Sequence, residues 1–413
     1  MTRQLSTEIA VIGAGVIGLT VAERLLAEGR EVVLVDPGAP GMGASYGNAG
    51  TIADYAVAPV GTPDVLKNLP SLLFDRHSPL AIRRAGLPAL MPWLLRFALQ
   101  SLPGPARRNA AAIAALLAGA GPLWQDLAGR IGAGDILQPR GCLYLYAGAA
   151  EQAAAGAEMA RRRDLGVTVE VIGAGALAAL EPGLPPMAGA AFFPDAIFLN
   201  DPGRMMVALA ARVTARAGHL RAAVTGLSRR DGGVEVTGDG FRIGARRVVI
   251  AAGAQSRALA RAAGDRVPLD TERGYHVEWD MGQPRLTRPA CVMARGFYLC
   301  PMAGRLRAVG TVELGGLTAP PSPHRIAKLV EGARSVFPDL PDVPDRSWMG
   351  FRPSMPDSLP VIGPSRGGPQ VIHAFGHGHL GVTLAPVTAG IVADLVAGRA
   401  PGRDTAAVSP ARF

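Results

Sequence analysis

Ile9-Ala-Val-Ile-Gly-Ala-Gly-Val-Ile-Gly-Leu-Thr-Val-Ala-Glu-Arg-Leu-Leu-Ala-Glu-Gly-Arg-Glu-Val-Val-Leu-Val-Asp36 decides the reading of this chain. Ile9 to Ile12 is a short apolar run of strand type, and Gly13, Gly15 and Gly18 fill a G-x-G-x-x-G spacing. A helix follows, with Leu19, Ala22, Leu25 and Leu26 on its apolar face, and Gly29 ends it. Val32 to Val35 form a second strand that stops on an acid, Asp36. Gly13 permits the tight turn, Gly15 leaves backbone bare for a pyrophosphate, and Gly18 lets helix and strand pack closely. Val16 and Ile17 open the helix, whose free amides and positive dipole end suit phosphate. Asp36, with Pro37 behind it, is placed to accept the ribose hydroxyls of an adenosine. Strand, turn, helix, strand and acid in this order predict a dinucleotide site.

The 413 residues suffice for two domains with a large core. Hydrophobic residues at 49% and charged residues at 18% describe a globular chain and exclude disorder. The formal charge of +9 is almost all arginine, since Lys67 and Lys328 are the only lysines. These arginines are scattered, with no basic block interleaved with aromatics, so no nucleic-acid partner is expected. Cys142, Cys291 and Cys300 fit neither a zinc site nor a C-x-x-C pair, and read as reduced, buried thiols of a cytoplasmic protein. No metal site is expected. The first strand is read within ten residues of Met1, so no signal peptide is expected. The apolar stretch Leu87 to Leu102 is interrupted by Pro88, Pro92 and Arg96, so contact with a membrane, if any, is peripheral.

After Asp36 comes a loop dense in glycine and small polar residues, Pro37 to Thr51, whose backbone can press against a flat ligand. Leu90, Trp93, Leu94 and Phe97 share a helical face that reads as core. Residues 141–146 form a strand and 150–164 a helix. A second glycine motif, Val171-Ile-Gly-Ala-Gly-Ala-Leu-Ala-Ala-Leu180, is no second nucleotide site: its helix stops at Pro182 and no strand ending in an acid follows. It reads as a turn and short helix. Residues 192–199 form a strand, Asn200-Asp-Pro-Gly caps a helix over 203–217, and 220–227 form a strand. A hairpin over 234–243 precedes the apolar strand from Arg247, which ends in a Gly-rich turn at Ala252 and Gly253. Strands fill 268–318, a helix 322–336, and a strand and an apolar helix close the chain.

Several ordered segments carry a resemblance. Val11-Ile-Gly-Ala-Gly-Val-Ile-Gly18, Gly43-Ala-Ser-Tyr-Gly-Asn-Ala-Gly50, Gly350-Phe-Arg-Pro with Pro-Val-Ile-Gly363, and Gly376-His-Gly-His-Leu-Gly381 resemble the D-amino-acid oxidase superfamily of flavoproteins, above all bacterial D-amino-acid dehydrogenases. The resemblance implies an α/β fold: a Rossmann-type FAD-binding domain intertwined with an α+β substrate domain on a mixed, largely antiparallel sheet. It puts residues 1–75, 200–262 and 347–413 in the first domain and 76–199 and 263–346 in the second. It implies that the dinucleotide is FAD, held non-covalently, because the stretch Gly350 to Asp357 lacks the cysteine through which sarcosine oxidase-like relatives attach flavin.

The reaction it implies is oxidation of a D-amino acid to an imino acid and then a 2-oxo acid, with hydride passing from Cα to flavin N5 and electrons going on to a quinone or another acceptor. Alternatives left open are glycine or sarcosine-type chemistry, a D-proline or D-hydroxyproline oxidase or dehydrogenase, and a flavin-binding subunit of a larger electron-transfer complex. Arg352 is the expected anchor for the substrate carboxylate, because a planar guanidinium matches that group bidentately. His379 stands where glycine oxidase-like proteins carry a second arginine. Tyr275 and His276 are expected above the flavin. Ser45, Asn48, Ala49 and Gly50 are expected against pyrophosphate and ring, Val224 beside adenine, Ala252 and Gly253 at another FAD-facing turn, and Gly378, His379, Leu380, Gly381 and Thr383 at the helix start that faces the flavin pyrimidine. No acidic or basic partner for a substrate side chain stands out.

Overall fold

A computed structural model describes residues 2–68, 80–83 and 86–413. The boundary read between residues 75 and 76 lies outside them. The opening motif folds as its spacing dictates: strand β1 (Arg3–Ile12), helix α1 (Val16–Ala27) and strand β2 (Val32–Val35), with β1 and β2 parallel. Ile9 and Val11 point into one apolar cluster and Ala10 and Ile12 into another. Strand alternation combined with two covered faces explains the unbroken apolar run. Val11, Leu19, Leu25 and Leu34 are fully buried, each burial contributing about 1.5–3 kcal/mol.

Around β1 and β2 a first sheet assembles from distant parts of the chain. The strand Phe241–Ile250 pairs parallel with β1, Gly218–Leu220 with β2, and Gly368–Phe375 with the end of Phe241–Ile250. The antiparallel strands Val224–Arg230, Gly233–Gly238 and Val361–Ser365 complete it. Helices Gly381–Val396 and Pro202–Thr214 pack on α1, and Asp201 caps the latter by accepting the Arg204 amide at 3.0 Å. This is the expected α/β sheet.

The second sheet runs in the order Arg346–Ser354, Asp270–Asp280, Arg305–Leu314, Phe297–Met302, Ala290–Val292, Cys142–Tyr146, Gly189–Phe193, Glu170–Gly173. A further strand, Leu80–Ile82, pairs parallel with Arg305–Leu314, and Ala290–Val292 is parallel to Cys142–Tyr146; the other neighbours are antiparallel, so the sheet is mixed and largely antiparallel. Helix Pro323–Val336 covers its outer face. A small sheet of Thr51–Ile52, Ile197–Leu199 and Leu137–Gln138 lies apart from both.

The structure differs from the sequence reading at several places. Residues 192–199 are not one strand, because a turn separates Gly189–Phe193 from Ile197–Leu199. The decoy glycine motif includes a strand, Glu170–Gly173, before its helix Ala174–Leu180, and that strand is antiparallel at a sheet edge, where no Rossmann crossover is formed. The strand Arg346–Ser354 belongs wholly to the second sheet, across the boundary read at 347. Helices Pro103–Leu117 and Ala120–Arg130 fall in the range assigned to the second domain, yet Ile113, Leu116, Trp124 and Leu127 join the core around α1. Two runs, Pro103–Arg130 and Gly378–Val396, are long and apolar enough to cross a membrane. The first is broken at Gly119, with φ +74°, and the second is the buried helix against α1.

A Cβ on Gly18 would lie 1.8 Å from the Gly13 carbonyl oxygen, and one on Gly13, at φ +105°, would lie 2.3 Å from the Ala251 carbonyl oxygen. Gly18→Ala should therefore lower Tm by roughly 5 °C or more and shed flavin on gel filtration. Gly129→Ala, on a helix with nothing within 4 Å, should leave both unchanged.

Candidate active site

The turn after β1 brings bare backbone to the start of α1. No α-helical carbonyl can reach the first amides of α1, and Gly15 at its start offers no side-chain cap. A Cβ on Gly15 would meet only the Ser45 hydroxyl, at 3.6 Å. That hydroxyl accepts the Val16 amide at 3.0 Å, so the loop after Asp36 folds back onto the helix start. The Asp36 carboxylate accepts the amides of Ala14 and Gly38, both at 2.7 Å. The Ala222 amide, two residues before Val224, donates to the Asp36 carbonyl, and the Ala251 amide donates to Ile12, which brings Ala252 and Gly253 beside Gly13. Pro37 is exposed, its carbonyl accepting from Arg221.

The loop 43–51 is pinned to the inner face of the second sheet. Asn48 shapes the loop by donating to the Ser45 carbonyl and accepting the Gly50 amide at 2.6 Å. Gly50 has φ +75°, and a Cβ there would strike the Leu199 carbonyl. Ala49 packs on Cys300, Met302 and Val309. Arg307, buried and paired with buried Glu278 at 2.7 Å, donates to the Asn48 carbonyl. His276 Nδ1 lies 2.8 Å from the Gly47 carbonyl, and its ring stacks on Trp348 at 5.2 Å. Trp348 fills the space a Cβ on Gly47 would need.

Arg352 rises from the same inner face. Its guanidinium lies over Gly274, where a Cβ would come within 2.5 Å of Cζ, and Nη1 donates to the Thr311 carbonyl at 3.1 Å. Thr311 has φ +58°, a left-handed conformation rare for a β-branched residue. Among the described residues Arg352 has no ion pair within 4.0 Å. Burial pulls its pKa down against the charge of Glu272, which raises it.

His379 borders this space. It is exposed on the surface of the protein alone, and local desolvation followed by the Arg352 charge lowers its pKa. It is neutral near pH 7, so Arg352 stands without a second cation at the position where glycine oxidase-like proteins carry arginine. Gly378, at φ +54°, faces Ser354, whose hydroxyl would lie 3.9 Å from a Cβ there. Leu380 and Thr383 are buried, and Thr383 Oγ1 accepts the Ala53 amide at 2.9 Å. Gly381 begins the helix Gly381–Val396.

Tyr275 is a correction. Successive strand residues point to opposite faces, so when His276 faces the loop, Tyr275 enters the core under helix Pro323–Val336. Its hydroxyl binds the Glu313 carboxylate and accepts the Ser322 amide at 3.1 Å, away from Arg352. Residues that sequence reasoning missed are Glu272, Thr311, Ser354, Trp348 and the Arg307–Glu278 pair. Glu272 carried no local signal: it lies two residues before Gly274, on a strand whose pairing with the G-x-R-P strand only the fold reveals.

Residues 8–395 match the FAD dependent oxidoreductase (DAO) family. The chain belongs to that family. A D-amino-acid oxidase of Bradyrhizobium diazoefficiens is 36% identical over 418 residues, 98% of each chain. A D-amino acid dehydrogenase 2 of Ralstonia nicotianae is 32% identical over 433 residues, 98% of this chain and 100% of that one. A glycine oxidase from Geobacillus kaustophilus superposes with TM-score 0.75 at 25% identity, covering 99% of both chains. An L-proline dehydrogenase from P. horikoshii, at 19% identity and TM-score 0.76, shares the fold over 100% of this chain and 98% of that one.

The flavoprotein's own residues fit FAD. The bare backbone at Gly15, the first-turn amides of α1 and the Asp36 carboxylate line up from phosphate to ribose, and loop 43–51 stands between them and Arg352.

Burial lowers the pKa of His377 to about 3, and burial followed by the Arg307 charge lowers that of His276 to about 4. Both are neutral when folded but titrate near 6.5 when unfolded. Unfolding thus takes up protons below about pH 6.5, and stability should fall toward pH 4 by up to about 1.4 kcal/mol per pH unit for each ring. Asp54, raised to about 6 by burial and then Asp195, acts in the opposite sense, with its stabilisation lost as pH rises through that value. The net expectation is a Tm that declines from pH 6.5 to 4.5, less steeply in His377→Gln. A flat wild-type profile would refute it.

Proposed function

We propose that this flavoenzyme oxidises D-amino acids to imino acids, which water hydrolyses to 2-oxo acids, and that electrons leave to a quinone or another acceptor. The observation that carries the reading is Arg352: a guanidinium with spare donors and no ion pair among the described residues, on the face that meets the cofactor loop. Bound FAD, held non-covalently, supplies the hydride acceptor. The chain's own residues hold the substrate carboxylate at Arg352 and fix the distance between the two sheets through Arg307 and His276. In this reading the first sheet carries FAD and the second the substrate. The names of the relatives at 36% and 32% identity support the D hand.

Purified holoenzyme mixed anaerobically with neutral D-amino acids should lose its yellow absorbance, and L-amino acids should leave it. No bleaching by either hand would favour a flavin-binding subunit. Arg352→Ala should keep FAD and lose about 3 kcal/mol of transition-state binding, on the order of 10²-fold in kcat/KM. Unchanged kinetics would remove Arg352 from the site. Peroxide release against dye reduction separates oxidase from dehydrogenase.

The membrane side of the proposal rests on helix Leu87–Gln100. Leu90 and Trp93 face the core, as the sequence implies, but Leu87, Met91, Leu95 and Leu99 form an exposed apolar stripe at four-residue spacing, continued by Leu102. Arg96, Arg107 and Arg108 are exposed around it, and residues 76–125 contain no Asp or Glu. An apolar stripe beside cationic side chains suits the cytoplasmic surface of an anionic bilayer. The unpaired thiols Cys142, Cys291 and Cys300 fit that reducing compartment. Holoenzyme should float with phosphatidylglycerol vesicles and not with phosphatidylcholine. Leu95→Glu with Leu99→Glu should abolish flotation while dye-linked turnover is kept. Equal flotation of the double variant would sink this part.

A further inference from the structure

Glu272 is the directly opposed cross-strand partner of Arg352, so the two side chains share one face of the sheet. It is 7% exposed. Arg273 next to it turns to the other face, where it stacks over Phe351 and donates to the carbonyls of Gly316, Ala319 and Pro320. Nothing among the described residues forms an ion pair with Glu272 within 4.0 Å. The Arg352 fork leans over Gly274 to the Thr311 carbonyl instead. Beside these two charges, the buried Thr311 hydroxyl has no hydrogen-bond partner. A buried carboxyl, a guanidinium with free donors and an idle hydroxyl are costly unless a ligand completes them. The complement of these two charges is a small zwitterion.

We propose that Glu272 is a further catalytic residue: it receives the ammonium group of an amino acid whose carboxylate lies on Arg352, and takes one proton from it. The inference rests on the proposed D-amino-acid oxidation and deepens it. An N–H bond of the ammonium breaks and an O–H bond forms on Glu272, giving a neutral amine and a carboxylic acid, with no electrons transferred. The freed nitrogen lone pair is what lets Cα release hydride. The proton then passes from Glu272 to water. Burial raises the Glu272 pKa, against the lowering effects of Arg352 and the Ser354 hydroxyl and with a further push from Asp270. These, with uncharged His379 from the facing loop, are the titratable and charged groups around it, and they favour proton uptake over a permanent ion pair.

The test uses holoenzyme, D-alanine, and propanoate as a carboxylate without the amine, its binding read from the flavin spectrum. In the wild type, propanoate should bind more tightly as pH falls, because its charge and that of ionised Glu272 repel. kcat/KM for D-alanine should rise with pH over the same range. Glu272→Gln should bind propanoate at least as well at pH 8, lose its pH dependence, and drop kcat/KM on the order of 10²-fold or more, with Glu272→Asp restoring the pH limb. Propanoate binding independent of pH in the wild type overturns the proposal without any variant, as does Glu272→Gln with the wild-type rate and profile. A wild type that binds propanoate but is reduced by no amino acid instead overturns the reading of function.

Discussion

Arg307, buried against Glu278 and donating to the carbonyl of Asn48, ties loop 43–51 to the inner face of the second sheet. An ion pair so enclosed contributes little net stability, but removing one partner would strand a charge in the interior at about 3–5 kcal/mol. Its value is in register. The contact lets loop 43–51 approach the inner face of the second sheet at one distance, which His276 and Trp348 fix from the other side. Arg352, on the neighbouring strand, inherits that distance.

The electrostatics of the inner face follow from the same enclosure. Burial discharges His276 and His377, and the Arg352 charge disfavours a second cation on exposed His379, so these histidines are neutral at pH 7. The positive charge near a bound acid is then the Arg352 guanidinium, and the Glu272 carboxyl lies directly across from it. One cation and one proton-binding acid, held on adjacent strands of a rigid sheet, form an asymmetric wall. Such a wall can orient a molecule that carries both charges.

Much of the first sheet was legible because its signals are local. A turn that admits no Cβ at Gly13 and Gly18, a helix stopped at Gly29 and a strand ending on Asp36 each act within a few residues of themselves. The Arg352 motif was legible for a different reason, a resemblance carried by ordered short segments. Tyr275 was misplaced because the period of two says that neighbours face opposite ways without saying which way is inward. Glu272 was passed over because a carboxylate in a strand looks solvated until the strand is known to be central. The outward stripe of helix Leu87–Gln100 was hidden for the complementary reason, since apolar residues on all sides of a helix read as core.

The sequence by itself determined the β1–α1–β2 crossover, its fitness for a dinucleotide and the presence of a late arginine suited to a carboxylate, because these depend on spacing and on side-chain chemistry. Only the tertiary structure decided that strand Arg346–Ser354 joins the second sheet, that Glu272 stands opposite Arg352, and that buried His377 is uncharged. Those facts arise from pairing between residues some eighty positions apart and from the loss of water around them, and no local pattern encodes either.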